Sequence, residues 1–238
     1  MADTQVLDKA ARIYAIGDIH GRLDLLDRVI AAIERDVKER GAAALTVTLG
    51  DYVDRGPASR GVLDRLCVNP FPTPHVALKG NHETFMEAFL ADPTLGPQWR
   101  DFGGLETLHS YGISVGRFML TRNYDAAAQA LQEALPASHI GFLRSLKTSH
   151  GHGKYFLCHA GVRPGVPLER QDERDLLWIR GEFLSSDADF GKIVVHGHTP
   201  VEEPEEKPNR INIDTGAFAT GRLTCVALDE DGHRFLKV

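Results

Sequence analysis

The chain has 238 residues, 42% of them hydrophobic and 25% charged, an ordinary globular composition. Its 27 basic residues are outnumbered by 33 acidic ones, for a net charge of −6, so there is no broad basic field to coat a nucleic acid. No apolar run is long enough to cross a bilayer, and residues 1–11 carry Asp3, Asp8 and Lys9 in place of an apolar leader, so a cytoplasmic protein without a membrane partner is expected.

Cys67, Cys158 and Cys225 lie far apart, odd in number and without a C-x-x-C pair. Buried thiols in a reducing compartment are expected, not a disulfide framework or a zinc knuckle.

The apolar run 12–16 reads as a buried strand. Leu25, Leu26, Val29, Ile30, Ile33 and Val37 recur every three to four residues and predict an amphipathic helix over 23–40, stopped by Gly41. Residues 45–49 read as a second strand and 59–68 as a short helix that the proline-rich 69–74 must end. A third strand is predicted at 75–78 and a third helix at 82–91. This alternation is an α/β pattern with a parallel sheet segment. Residues 92–150 read as a helical cap beside the site, interrupted at Gly103-Gly104, with helices over 124–135 and 136–146. Strands are then expected at 154–158, 193–195, 211–213 and 223–228, with a last edge at 235–238. Hairpin turns at Gly221 and Asp231-Gly232 suggest that this half is antiparallel. Residues 202–208 are expected to be a solvated acidic loop, and Ser149-His150-Gly151-His152-Gly153 a polar turn.

Polar clusters follow five of these strands. They are Gly17-Asp18-Ile19-His20-Gly21, Gly50-Asp51-Tyr52-Val53-Asp54-Arg55-Gly56, Gly80-Asn81-His82-Glu83, His159-Ala160-Gly161 and His196-Gly197-His198-Thr199-Pro200. Asp18 and His20 are two apart, a spacing that points both the same way along an extended chain. Ligand sites in α/β folds sit at the carboxyl ends of strands. Asp18, His20, Asp51, Asn81, His159 and His198 make six oxygen and imidazole donors without a thiolate. That is too many for one tetrahedral zinc, and it suits two ions such as Mn²⁺, Fe or Zn²⁺ sharing a carboxylate.

In this order the motifs closely resemble those of the metallophosphatases of the phosphoprotein phosphatase family. The resemblance implies an α/β fold, a calcineurin-like sandwich of two mixed β-sheets flanked by helices. It also implies a single metallophosphoesterase domain over 1–238, with the cap at about 92–150. Carried over by motif, Asp18 and His20 hold the first metal and Asp51 bridges. Asn81, His159 and His198 hold the second, with His196 left as a strand-end residue. His82 is implied as the proton donor to the leaving oxygen, with Asp54 as its partner, and Arg55 and Arg180 as phosphate clamps. A metal-activated water then attacks phosphorus in line, with Mn²⁺ the expected metal, and no covalent phosphoenzyme forms. Cys158, beside His159, is expected to be a buried residue and not a nucleophile, and Asp214 a supporting residue.

Eukaryotic members carry a Ser-Ala-Pro-Asn-Tyr stretch where this chain has Asn212-Ile213-Asp214-Thr215-Gly216-Ala217. That difference, with Trp99, Gly103-Gly104, Thr107-Leu108 and Ser110-Tyr111-Gly112, resembles the bacterial and phage-type serine/threonine protein phosphatases. A phosphorylated protein or peptide, phosphotyrosine included, is the implied substrate. A sister group with the same metal motifs hydrolyses dinucleoside tetraphosphates and is the alternative. Such a substrate would want stacking aromatics, for which Trp99, Tyr111 and Tyr124 are available. An inactive metal-binding scaffold is the remote alternative, and the full motif set speaks against it.

Overall fold

The computed structural model of the chain describes residues 11–41, 43–116 and 122–238. The expected absence of a leader concerns residues 1–10, which lie outside the described residues, as does part of the cap, 117–121.

Strands β1 (Arg12–Ile16), β2 (Ala44–Thr48) and β3 (His75–Ala77) pair in parallel. Strand β9 (Cys225–Asp229) adds antiparallel to β1, and β10 (His233–Phe235) to β9. The second sheet contains β4 (Ser149–His152), β5 (Tyr155–Cys158), β6 (Ile193–His196), β7 (Glu205–Lys207) and β8 (Arg210–Asn212), in the order β4-β5-β6-β8-β7.

Alternation along each strand builds the sandwich. Ile13 and Ala15 of β1 face Leu157 of β5, Val195 of β6 and Ile211 of β8 between the sheets. Tyr14 and Ile16 point the other way. They meet helices α1 (Leu23–Arg40), α2 (Ser59–Leu66) and α3 (Asn81–Ala91) through Leu26, Val29, Val62 and Phe89. Phe156, Cys158 and Val194 cover the far face of the second sheet, against short helices α8 (Glu173–Trp178) and α9 (Gly181–Leu184). The expected cap, 92–150, carries helices α4 (Gly96–Asp101), α5 (Gly104–Ser110), α6 (Tyr124–Ala134) and α7 (Ala137–Ser145), but the helical part stops at Ser145 and Ser149 already opens β4. Gly103 separates α4 from α5 at φ 97°, a conformation that favours glycine. A four-residue helix, α10 (Ala217–Thr220), follows β8.

Three expectations are corrected. The second half is not simply antiparallel, because β5, β6 and β8 run parallel. Residues 205–207 form an edge strand on β8, so the acidic stretch is more than a solvated loop. His150 and His152 lie in β4, paired with β5, and the turn moves to Gly153-Lys154. Backbone pairing with an apolar neighbour overrides the weak strand propensity of that histidine-glycine run. The three thiols are free, with Cys158 and Cys225 buried and Cys67 half-buried. Among the described residues, no helix is long and apolar enough to cross a membrane.

Candidate metal and phosphate site

The five clusters meet where strands of both sheets end. Asp18, His20, Asp51, Asn81, His159 and His198 are all buried. Their backbone is unusual too. Among the described residues, seven other than glycine have positive φ, and His20, Asp51, Asp54, Arg55 and His198 are five of them. Such strain costs of order 1–3 kcal/mol per residue and concentrates at functional sites. Close approach also matters here: a Cβ on Gly80 would lie 2.1 Å from Asp51 Oδ1.

Hydrogen bonds orient the rings. His20 Nδ1 lies 2.9 Å from the Val53 carbonyl and His159 Nδ1 3.0 Å from that of Leu49. A carbonyl only accepts, so each Nδ1 carries the proton and each Nε2 turns a lone pair into the site. His20 Nε2 lies 3.4 Å from Asp51 Oδ2, and His159 Nε2 3.4 Å from Asp51 Oδ1. His159 Nε2 also lies 2.8 Å from Asn81 Oδ1, and His198 Nδ1 2.9 Å from the same oxygen. The backbone N–H of His82 donates to Asp51 (3.0 Å), and that of His198 to Asp18 (3.0 Å).

Electrostatics point the same way. Burial lowers the pKa of His20 to about 3 and that of His198 to about 2, so both rings are neutral and able to ligate. Burial and the nearby carboxylates of Asp214 and Asp51 push Asp18 well up. Burial lifts Asp214 to about 6. Burial would also raise Asp51, but the surrounding histidines outweigh it and hold it low. Three crowded acids and several neutral imidazoles form a cavity that a multivalent cation would neutralise.

The donor set fits two metal ions. Asp18 Oδ1 and His198 Nε2 are buried with no hydrogen-bond partner. Two groups of side chains have ligand atoms that all lie within 4.8 Å of one another: His20, Asp51 and His82, and Asp18, Asp51 and His159. Asp51 belongs to both, as a bridging carboxylate would. Asp18 falls here with His159, whereas the sequence had paired it with His20.

His82 differs from the other rings in its partner. Its Nδ1 lies 2.8 Å from Asp54 Oδ2, and its Nε2 3.8 Å from Asp51 Oδ2. Burial alone would lower its pKa, but Asp51 and the hydrogen bond to Asp54 outweigh it and raise it. Arg55 reaches His20 Nε2 at 3.2 Å and lies 4.8 Å over the ring of exposed Phe218. Arg180 is exposed at the mouth, its Nη2 3.5 Å from the His198 carbonyl. Trp178 packs edge-on to His198 at 6.2 Å between ring centres.

His196 is buried with its ring edge-on to Phe183, away from this cluster of donors. Burial pushes the Cys158 thiol up to about 12, so it makes a poor nucleophile.

Sequence reading assigned Glu83 no role, yet its carboxylate accepts four backbone N–H groups. These come from Tyr52 (2.7 Å), Gly80 (2.8 Å), Asp51 (2.9 Å) and Val53 (3.3 Å). Burial and Asp51 lift its pKa to about 7, opposed by the N–H groups of Gly80 and Tyr52. The anion is the form that fits four donors. In Glu83→Gln, either orientation of the amide sets NH₂ against two N–H groups. A loss of about 3 kcal/mol in urea unfolding is expected, since buried unmet donors cost roughly 1–3 kcal/mol each. A loss under about 0.5 kcal/mol, the scale of an ordinary surface substitution, would remove Glu83 as a support of the Asp51 loop.

The profile of the calcineurin-like phosphoesterase family matches residues 11–229. The chain is 28% identical over 224 residues to serine/threonine-protein phosphatase 2 of Escherichia coli strain K12, covering 89% of this chain and 90% of that one. It is equally 28% identical over 233 residues to the asymmetrical bis(5'-nucleosyl)-tetraphosphatase PrpE of Anoxybacillus flavithermus, covering 90% and 89%. A crystal structure of the cold-active protein-tyrosine phosphatase of a psychrophilic Shewanella species matches at a TM-score of 0.59 and 15% identity, covering 95% of this chain and 80% of that one, which supports the fold alone. The chain belongs to the calcineurin-like phosphoesterase family and is a hydrolase of phosphoric esters.

Proposed function

We propose that the protein is a cytoplasmic phosphomonoesterase acting on phosphoserine and phosphothreonine side chains of proteins, with two divalent ions, Mn²⁺ by preference. Asp18, His20, Asp51, Asn81, His159 and His198 would hold the ions. Bound there, they would supply an activated water and neutralise phosphate charge. Arg55 and Arg180 flank the site and clamp the remaining phosphate oxygens through their planar forks.

The observation that carries the substrate class is the His82–Asp54 pair. When the P–O bond to an alkyl ester breaks, the electron pair stays on the ester oxygen as a strongly basic alkoxide. His82 Nε2–H delivers the proton that turns it into the free hydroxyl of serine or threonine. A dinucleoside tetraphosphate releases a phosphate anion, which departs without a proton. Two of the three aromatics available for stacking a base are also committed elsewhere. Trp99 is buried against Phe89, and the buried Tyr111 hydroxyl lies 2.7 Å from His139 Nδ1. What keeps the dinucleotide in competition is Trp178 and the exposed Phe218, beside His198 and His20.

A side-by-side assay of the Mn²⁺-loaded protein tests this reading. Phosphoserine and phosphothreonine peptides are expected to give a much higher kcat/KM than diadenosine tetraphosphate. The reverse preference would sink the protein-phosphatase reading and leave the metal chemistry intact.

A further inference from the structure

The Asp54 carboxylate is completely buried and carries three hydrogen bonds, two of them from the helical segment 96–110. Trp99 Nε1–H donates to Oδ2 at 3.0 Å, and Thr107 Oγ1–H donates to Oδ1 at 2.7 Å. The third is the 2.8 Å contact of Oδ2 with His82 Nδ1. Thr107 Oγ1 also accepts the backbone N–H of Asp54 at 2.9 Å, so one hydroxyl holds both ends of the residue. The next residue is tied to the same segment, with the Arg55 N–H donating to the Gly103 carbonyl at 3.1 Å.

These ties meet a conformational need. Asp54 and Arg55 sit at φ 70° and 67°, two consecutive left-handed residues that their Cβ atoms disfavour. Trp99 in turn has one allowed seat. It stacks on Phe89 at 4.6 Å between ring centres, and a Cβ on Gly104 would lie 2.3 Å from its ring. The sequence shows none of this, because Trp99 and Thr107 lie 45 and 53 residues from Asp54.

We propose that Trp99 and Thr107 are positioning residues of the reaction: they lock the Asp54 carboxylate and thereby aim the His82 proton donor at the leaving oxygen. The inference rests on the proposed role of His82. It assigns the α4–α5 unit a part in proton delivery beyond that of a wall beside the site.

The test uses Mn²⁺-loaded Thr107→Val, Thr107→Ser, Trp99→Phe and His82→Asn on two substrates. One is a phosphoserine peptide, whose alkoxide needs a proton. The other is 4-nitrophenyl phosphate, whose phenolate leaves without one. Thr107→Val and Trp99→Phe are expected to lower kcat on the peptide by roughly 10–100-fold and on the aryl ester by under about 3-fold, a share of the 10²–10⁴-fold that a positioned acid supplies. Thr107→Ser keeps the hydroxyl and restores peptide activity. Trp99→Phe keeps the stack on Phe89, so it stands as an independent variant where Thr107→Val folds poorly. Equal losses on both substrates, or no loss on the peptide, would overturn the positioning role. The His82→Asn arm separates the two levels. If it shows the split and the other variants do not, only the positioning role fails. If it falls equally on both substrates, the donor role fails and takes this inference with it.

Discussion

His82→Asn is expected to lower kcat on a phosphoserine peptide by roughly 10²–10⁴-fold, the usual contribution of a positioned general acid. KM should change little, because the phosphate clamps are untouched. Bound metal should stay at two ions per chain, and that readout decides between two roles. His82 Nε2 lies only 3.8 Å from Asp51 Oδ2, within reach of a metal that Asp51 holds. The difference is in the partner at Nδ1. His20 and His159 give Nδ1–H to backbone carbonyls, which leaves Nε2 as the ligating atom, and burial keeps both rings neutral. His82 faces the buried carboxylate of Asp54, which favours an imidazolium with a proton to give. Loss of one ion in His82→Asn would make it a ligand and end its role as donor.

Asp51→Asn should have the larger effect on metal. Asp51 is shared by both groups of ligand atoms, so one substitution weakens both positions. Affinity for Mn²⁺ should fall by more than the roughly 10–100-fold typical of losing an outer partner. Heat stability gives a second readout. At a Mn²⁺ concentration of about 100 Kd the wild-type protein gains about 2.7 kcal/mol, or roughly 5–11 °C in Tm for a chain of this size. In Asp51→Asn most of that rise should vanish. Two tightly bound ions in Asp51→Asn would defeat the bridging assignment.

The sequence made the site legible wherever polar residues directly follow apolar strands. Asp18, Asp51, His159 and His198 stand within two residues of the ends of β1, β2, β5 and β6, or just beyond, and Asn81 opens α3 after β3. Local order alone therefore brings them to one edge of the sandwich. The 23–40 helix was legible for a similar reason, since its apolar stripe persists over its whole length. Strand ends drifted by a residue or two, because pairing sets where a strand stops and propensity does not. The direction of the second sheet was misjudged because long connections hide it. The 159–192 crossover holds only short helices, α8 and α9, and gives little sign that β5 and β6 run parallel. The supports of the site were not legible at all. Glu83 gathers backbone donors from two loops, and Asp54 is held from 45 and 53 residues away. Such contacts leave no periodic trace.

An anomalous difference map from crystals of the Mn²⁺-loaded protein tests the dinuclear centre most directly. Two peaks roughly 3.5–4 Å apart are expected, one on each side of the Asp51 carboxylate. A single peak, or none beside Asp51, would contradict it.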